Sequence, residues 1–259
     1  MRPLAIDPAP VGLHFCDGTG RPTLSPLPQL GELLDGGDDA VVIGWDGPLT
    51  GPAEAEGARL APADLVRRVI EAFFKSTPHG FSLPAGIPYV GWSGSPHWPL
   101  TRRIFGLPRV GPWDQPLEAL PYRLATSGDA PTSGRWIVET NAAVAIWLCV
   151  RDHPAGKMVV WAHKDRPDVR AQIWNIVAQR LTGRPAEELA DFWKMPSPDN
   201  AEQMDSLTTW LLVSRWIAGD PGVTILGSAR TGAWLLPATD GMADAFNSFA
   251  EVELERRRV

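Results

Sequence analysis

A mixed α/β sheet covered by helices follows from three features of this chain. Its first stretch alternates short apolar runs with Pro/Gly turns, as an antiparallel meander does. Its middle carries two runs, Ala40 to Trp45 and Arg135 to Thr140, that read as strands buried on both faces. The remainder shows helical spacing bounded by capping residues. With 259 residues, 44% hydrophobic and 21% charged, the chain is long and apolar enough for one large domain, and disorder and collagen are excluded.

PLAID at 3 to 7, VGLHFCD at 11 to 17 and RPTLSP at 21 to 26 read as three strands joined by turns. LPQLGELLDGG follows as a short helix stopped by Gly36 and Gly37. The run Ala40 to Trp45 fits a central parallel strand, with Asp46 at its carboxyl end. PADLVRRVIEAFFK, 62 to 75, opens on proline and sets Leu65, Val69 and Phe73 on one helical face. Residues 76 to 134 concentrate Pro, Gly and Trp, and an insertion over the carboxyl edge of the sheet is expected there. RWIVET, 135 to 140, is the next buried strand; it runs into the helix NAAVAIWLCV, which leaves Glu139 at the junction. KMVVWAH, 157 to 163, reads as a short strand, and RPDVRAQIWNIVAQRLTG as a helix with Pro167 in its first turn and Gly183 at its end. In PDNAEQMDSLTTWLLVSRWIAGD, Asp199 is the expected N-cap, Glu202 its capping-box partner and Gly219 the stop. VTILGS and GAWLLPA form a hairpin turning at Ala229 to Thr231, and an amphipathic tail follows.

Three strands, a helix, a buried strand and then alternating helices and strands is the order of the ribonuclease-H-like fold. The expectation is a single domain over 1–259 with 76–134 inserted in it. In that order the first and fourth strands lie side by side, and the carboxylates at their ends meet.

Charge and composition narrow the partners. Lys and Arg number 24 against 30 Asp and Glu, a net charge of −6, so nucleic acid would have to be held by a local patch or through a metal rather than by a general basic surface. No apolar run approaches the roughly 20 residues that span a bilayer, and Met1-Arg2-Pro3 lacks the marks of a signal peptide. No membrane partner and a cytoplasmic location are expected. Cys16 and Cys149 lie in apolar stretches without CxxC spacing and are expected as buried free thiols.

Four acids fall at element boundaries: Asp7 ending the first strand, Asp46 ending the fourth, Glu139 ending the fifth, and Asp205 early in the long helix. Asp7 and Asp46, on parallel neighbours, would stand about 5 Å apart at the carboxyl edge of the sheet, where open α/β sheets bind ligands. Carboxylates so close repel, and a hard divalent cation, Mg²⁺ or Mn²⁺, relieves the repulsion. Two such ions ~4 Å apart activate a water and stabilise the leaving oxygen of a phosphodiester.

The blocks AIDPAPVG (5–12), VVIGWDGPL (41–49), WIVETNAAVAIWL (136–148), AHKDRPDVRAQIW (162–174), NAEQMDSLTTWLL (200–212) and TGAWLLP (231–237) resemble the predicted nucleases catalogued as domain of unknown function 429, which have the ribonuclease-H-like fold. The resemblance spans nearly the whole chain. It implies that Asp7, Asp46, Glu139 and Asp205 hold one or two Mg²⁺ or Mn²⁺ ions and that Lys164 orients the attacking water or neutralises charge. The sequence departs from the family's pattern at Trp45, where a small aliphatic residue is usual, and at Thr140-Asn141, which follow the glutamate. AIDPAPVG also looks like the first strand of Holliday-junction resolvases.

Other chemistry finds little support. The five histidines, His14, His79, His97, His153 and His163, show no paired ligand spacing, and GxSxG and the phosphate-loop pattern are absent. DGTG at 17 to 20 is a hairpin turn. Arg102 and Arg103 beside Trp98 combine charge with a stacking surface, the expected grip on a nucleic-acid strand. The terminal arginines, Arg256 to Arg258, read as a solvated helix end. The expected activity is metal-dependent hydrolysis of DNA or RNA. Two rivals are a protein-interaction module on the same fold and a hydrolase of a small nucleotide or phosphorylated substrate.

Overall fold

The computed structural model describes residues 1–9, 12–25, 40–50, 67–76, 79–84, 122–154 and 160–257. The strands are β1 (Arg2–Ala9), β2 (Gly12–Cys16), β3 (Thr23–Ser25), β4 (Val41–Asp46), β5 (Arg123–Leu124), β6 (Arg135–Thr140), β7 (Val223–Ser228) and β8 (Gly232–Pro237). They form one mixed sheet in the order β3-β2-β1-β4-β6-β8-β7, with β5 on β6. The meander β1–β2–β3 and the β7–β8 hairpin are antiparallel, while β1–β4, β4–β6, β5–β6 and β6–β8 are parallel.

The helices are α1 (Val69–Phe73), α2 (Ala142–Val150), α3 (Pro167–Thr182), α4 (Ala186–Trp193), α5 (Ala201–Ile217) and α6 (Met242–Arg257). Helix α5 lies on β1, β2 and β4, with α2 and α3 beside it, while α1 and α6 pack together near β7 and β8. The sheet is thus covered on two faces. Among the described residues no helix is long and apolar enough to cross a membrane.

Local chemistry explains the elements. Apart from Arg135 and Asp46, every residue of β4 and β6 is buried, the mark of strands with helices on both sides. Helix α2 starts at Asn141, whose side chain accepts the Val144 N–H. Helix α3 carries Pro167 in its first turn and ends on Gly183 at φ 73°, a left-handed position that glycine fills without strain. Helix α5 packs tightly because β4 has glycine at position 44: a Cβ there would stand 2.6 Å from both Thr209 Cγ2 and Val213 Cγ2.

Several expectations change. The expected strand at 157 to 163 contains a 3-10 turn, Val160–His163, in its described part. The N-cap of α5 is Asn200 rather than Asp199. Its side chain accepts the Gln203 N–H while Gln203 accepts the Asp199 N–H, so Gln203 takes the role expected of Glu202. Strand β1 continues past Asp7 to Ala9, because its pairing with β2 outlasts its pairing with β4. The described ends of segment 76–134 are built into the fold: Phe81 and Tyr122 are buried and β5 pairs with the amino half of β6. Arg257 is buried, donating to the Arg67 carbonyl and to Glu253, rather than solvated. Cys16 and Cys149 are buried free thiols, as expected. The helix expected at 27–37 lies outside the described residues.

Candidate metal centre

Strand pairing decides which acids can meet. In the parallel ladder Ile6 pairs with Trp45, so Asp7 lies beside Asp46 one step beyond, and Asp46 pairs with Thr140. Strands in a sheet are about 4.8 Å apart and in-register side chains share a face. Asp7, Asp46 and Thr140 therefore point the same way, toward α5, where the Thr140 and Thr209 hydroxyls bond at 3.1 Å. Asp205 lies one turn before Thr209 on that helix, and Glu202 almost one turn before Asp205.

These carboxyls act on one another electrostatically. Burial, then the charges of Asp46, Asp205 and Glu202, hold the Asp7 carboxyl well above the ordinary carboxylate range. Burial, then Asp46 and Glu202, push Asp205 up to about 8. Asp46 rises to about 6 through burial, restrained by a hydrogen bond from the Ala142 N–H at 2.9 Å and by Lys164. Lys164 lowers all three, so its ammonium is the counter-charge of the cluster. Asp205 Oδ1 is buried with no hydrogen-bond partner.

Lys164 is held there by Arg170 of α3. This buried guanidinium donates to the carbonyls of His163, Lys164 and Asp199, tying the turn that bears the lysine to the start of α5.

Glu139 does not join the cup. It pairs with Trp45 in the ladder, one residue out of step with the Asp46–Thr140 pair, so the pleat sends it to the opposite face. There Arg68 binds it twice, at 2.8 and 2.5 Å, while Trp234 Nε1 and the Leu49 N–H donate to its oxygens at 2.6 and 2.9 Å. Burial raises the Glu139 carboxyl, and Arg68 and the Leu49 N–H pull it back. Arginine keeps its proton, so the pair stays ionic. Every oxygen lone pair that a cation could use is engaged, and the expectation of Glu139 as a ligand is corrected. Trp45 shares this far face and is fully buried, so it leaves the carboxylate cup untouched.

Two residues of the cup were not expected. His14 pairs with Asp7 across the β1–β2 ladder, which sets both side chains on one face. It is only 8% exposed; burial lowers its pKa and Glu202 opposes that. The second is Glu202, freed from capping by Gln203. Hairpin register was the signal for His14, but it depends on where the turn is centred. Arg102, Arg103 and Trp98 lie outside the described residues.

Among the described residues no three His, Cys, Asp or Glu side chains stand close enough to enclose an ion as they are. Compared with known proteins, the chain matches no family model, no curated protein and no solved structure.

Proposed function

We propose that this protein is a metal-dependent hydrolase of phosphodiester bonds in DNA or RNA, built on a ribonuclease-H-like fold. The observation that carries the reading is the meeting of Asp7 and Asp46 from adjacent parallel strands with Asp205 from the covering helix, all three with raised pKa values. The strand order, with an antiparallel β1–β2–β3 meander beside parallel β4 and β6, supports the fold.

The donor set fits Mg²⁺ or Mn²⁺: three carboxyls, one with a buried oxygen lacking any partner. Bound there, a divalent cation lowers the pKa of a coordinated water and stabilises charge on a leaving phosphate oxygen. Asp7, Asp46 and Asp205 would hold it. Lys164, exposed at the rim, balances the carboxylates and faces an incoming phosphate. The Ala142 N–H fixes one oxygen of Asp46, setting its orientation.

Thermal denaturation with added Mn²⁺ tests the cup. An ion at about a hundred times its Kd adds about 2.7 kcal/mol, which raises the Tm of a domain this size by about 5–10 °C. Asp7→Asn should lose that rise. A panel of single-stranded, duplex, branched and RNA substrates should show cleavage that EDTA abolishes. Cleavage undiminished by EDTA would sink the proposal.

A further inference from the structure

The clearest unmet demand in the cup is at His14. It sits on β2 directly across from Asp7, is more than nine-tenths buried, and its Nδ1 is enclosed with no hydrogen-bond partner. A buried imidazole nitrogen without a partner is costly, and native structures almost always give such an atom one. Asp7 makes no hydrogen bond to it, although the ladder places the two side by side. The other groups near it belong to the same cup: Glu202 acts on His14, Asp7 and Asp205 alike. One face therefore offers three kinds of donor position: carboxyls from β1 and β4, carboxyls from α5, and a ring nitrogen from β2.

We infer that His14 is a nitrogen ligand of the cation held by Asp7, which makes the site favour Mn²⁺ or another first-row transition ion over Mg²⁺. This inference rests on the reading of the cup as a cation site. Its chemical basis is ligand softness: Mg²⁺ strongly favours oxygen and holds its waters, whereas imidazole nitrogen suits first-row transition ions. A neutral imidazole also adds a ligand without adding negative charge to a cluster that already carries several carboxyls. The position on β2 matters too. A ligand on the strand next to β1 adds a donor from a further element, so the cation is approached from β1, β2, β4 and α5.

Electron spin-echo spectroscopy of the full protein with Mn²⁺ reads the bond directly. Wild type should show ¹⁴N modulation from the imidazole, replaced by the ¹⁵N pattern when histidine is supplied with ¹⁵N. His14→Gln should bind Mn²⁺ without nitrogen modulation, and His14→Asn gives the same readout if the glutamine variant does not fold. In parallel melting titrations, wild type should respond to Mn²⁺ at concentrations at least about tenfold below those of Mg²⁺, and the variant should narrow that gap. Mn²⁺ that binds wild type with no nitrogen modulation, or modulation that survives in His14→Gln, overturns this inference and leaves the carboxylate site standing. A free-Mn²⁺ signal undiminished by wild-type protein overturns both.

Discussion

Two buried acidic centres lie back to back across β4 and β6, and they are built on opposite plans. On the α1 face, Glu139 and Glu71 surround Arg68, and the guanidinium also reaches the Thr50 carbonyl and hydroxyl. Burial works against the Arg68 charge, but the two glutamates outweigh it and hold its pKa above the ordinary value. On the α5 face, Asp7, Asp46 and Asp205 have one exposed lysine between them, and an aspartate oxygen and an imidazole nitrogen lack partners. A satisfied centre fixes structure. An unsatisfied one has capacity for a ligand.

The largest expected effect tests the satisfied side. Arg68→Met leaves two buried glutamates unpaired and should cost about 3–5 kcal/mol, a fall in Tm of about 6–20 °C. A change within a degree or two would mean that the pairing contributes nothing, and the contrast between the faces would fail.

Gly44→Ala probes the contact that brings α5 down onto the carboxylates. Its methyl would meet Thr209 and Val213 at 2.6 Å, an overpacking expected to cost about 1–3 kcal/mol. By lifting Asp205 from the strands it should also weaken Mn²⁺ binding at least several-fold. Stability lost with Mn²⁺ affinity intact would show that the approach of the helix does not set the site.

The smallest effect has the most telling sign. Asp46 and Asp205 have pKa values near 6 and 8, above the ordinary 3.8. Carboxyls raised in this way hold protons better folded than unfolded. Their stabilisation is complete below about pH 4 and is lost as pH rises through 6 and then 8. In the absence of divalent cations, Tm should therefore fall across that window. Asp205→Asn should flatten the fall and stabilise the protein at pH 8 by on the order of 1 kcal/mol. Loss of stability in the variant at pH 8 would contradict the description of these carboxyls as buried and mutually repelling.

Much of the architecture was legible, because apolar runs and caps mark elements directly: β1 to β4, β6, α2, α3, α5 and the last hairpin lie where the spacing predicts them. Asp7, Asp46 and Asp205 were legible as a group for the same reason. What the sequence hid was register. VVIGW and WIVET are buried on both faces, so neither strand alternates polar with apolar, and nothing local says which residue of one stands beside which of the other. A slip of one residue turns a side chain to the other face. That single step separates Glu139 from the cup. The same uncertainty at the β1–β2 turn concealed His14, whose place depends on Ala9 pairing with Gly12. Glu202 was hidden by a cap one residue away from where it was expected.

Arg170 binds carbonyls on both sides of a gap of more than thirty residues in the chain, at His163 and Lys164 and at Asp199. The lysine turn and the first turn of α5 are thereby one mechanical unit. Any breathing of that helix away from the sheet carries off the ammonium together with the carboxylates of Asp205 and Glu202. Such a movement would strip the centre of its counter-charge and its helical carboxyls in one step, while Asp7 and Asp46 stay behind on the strands.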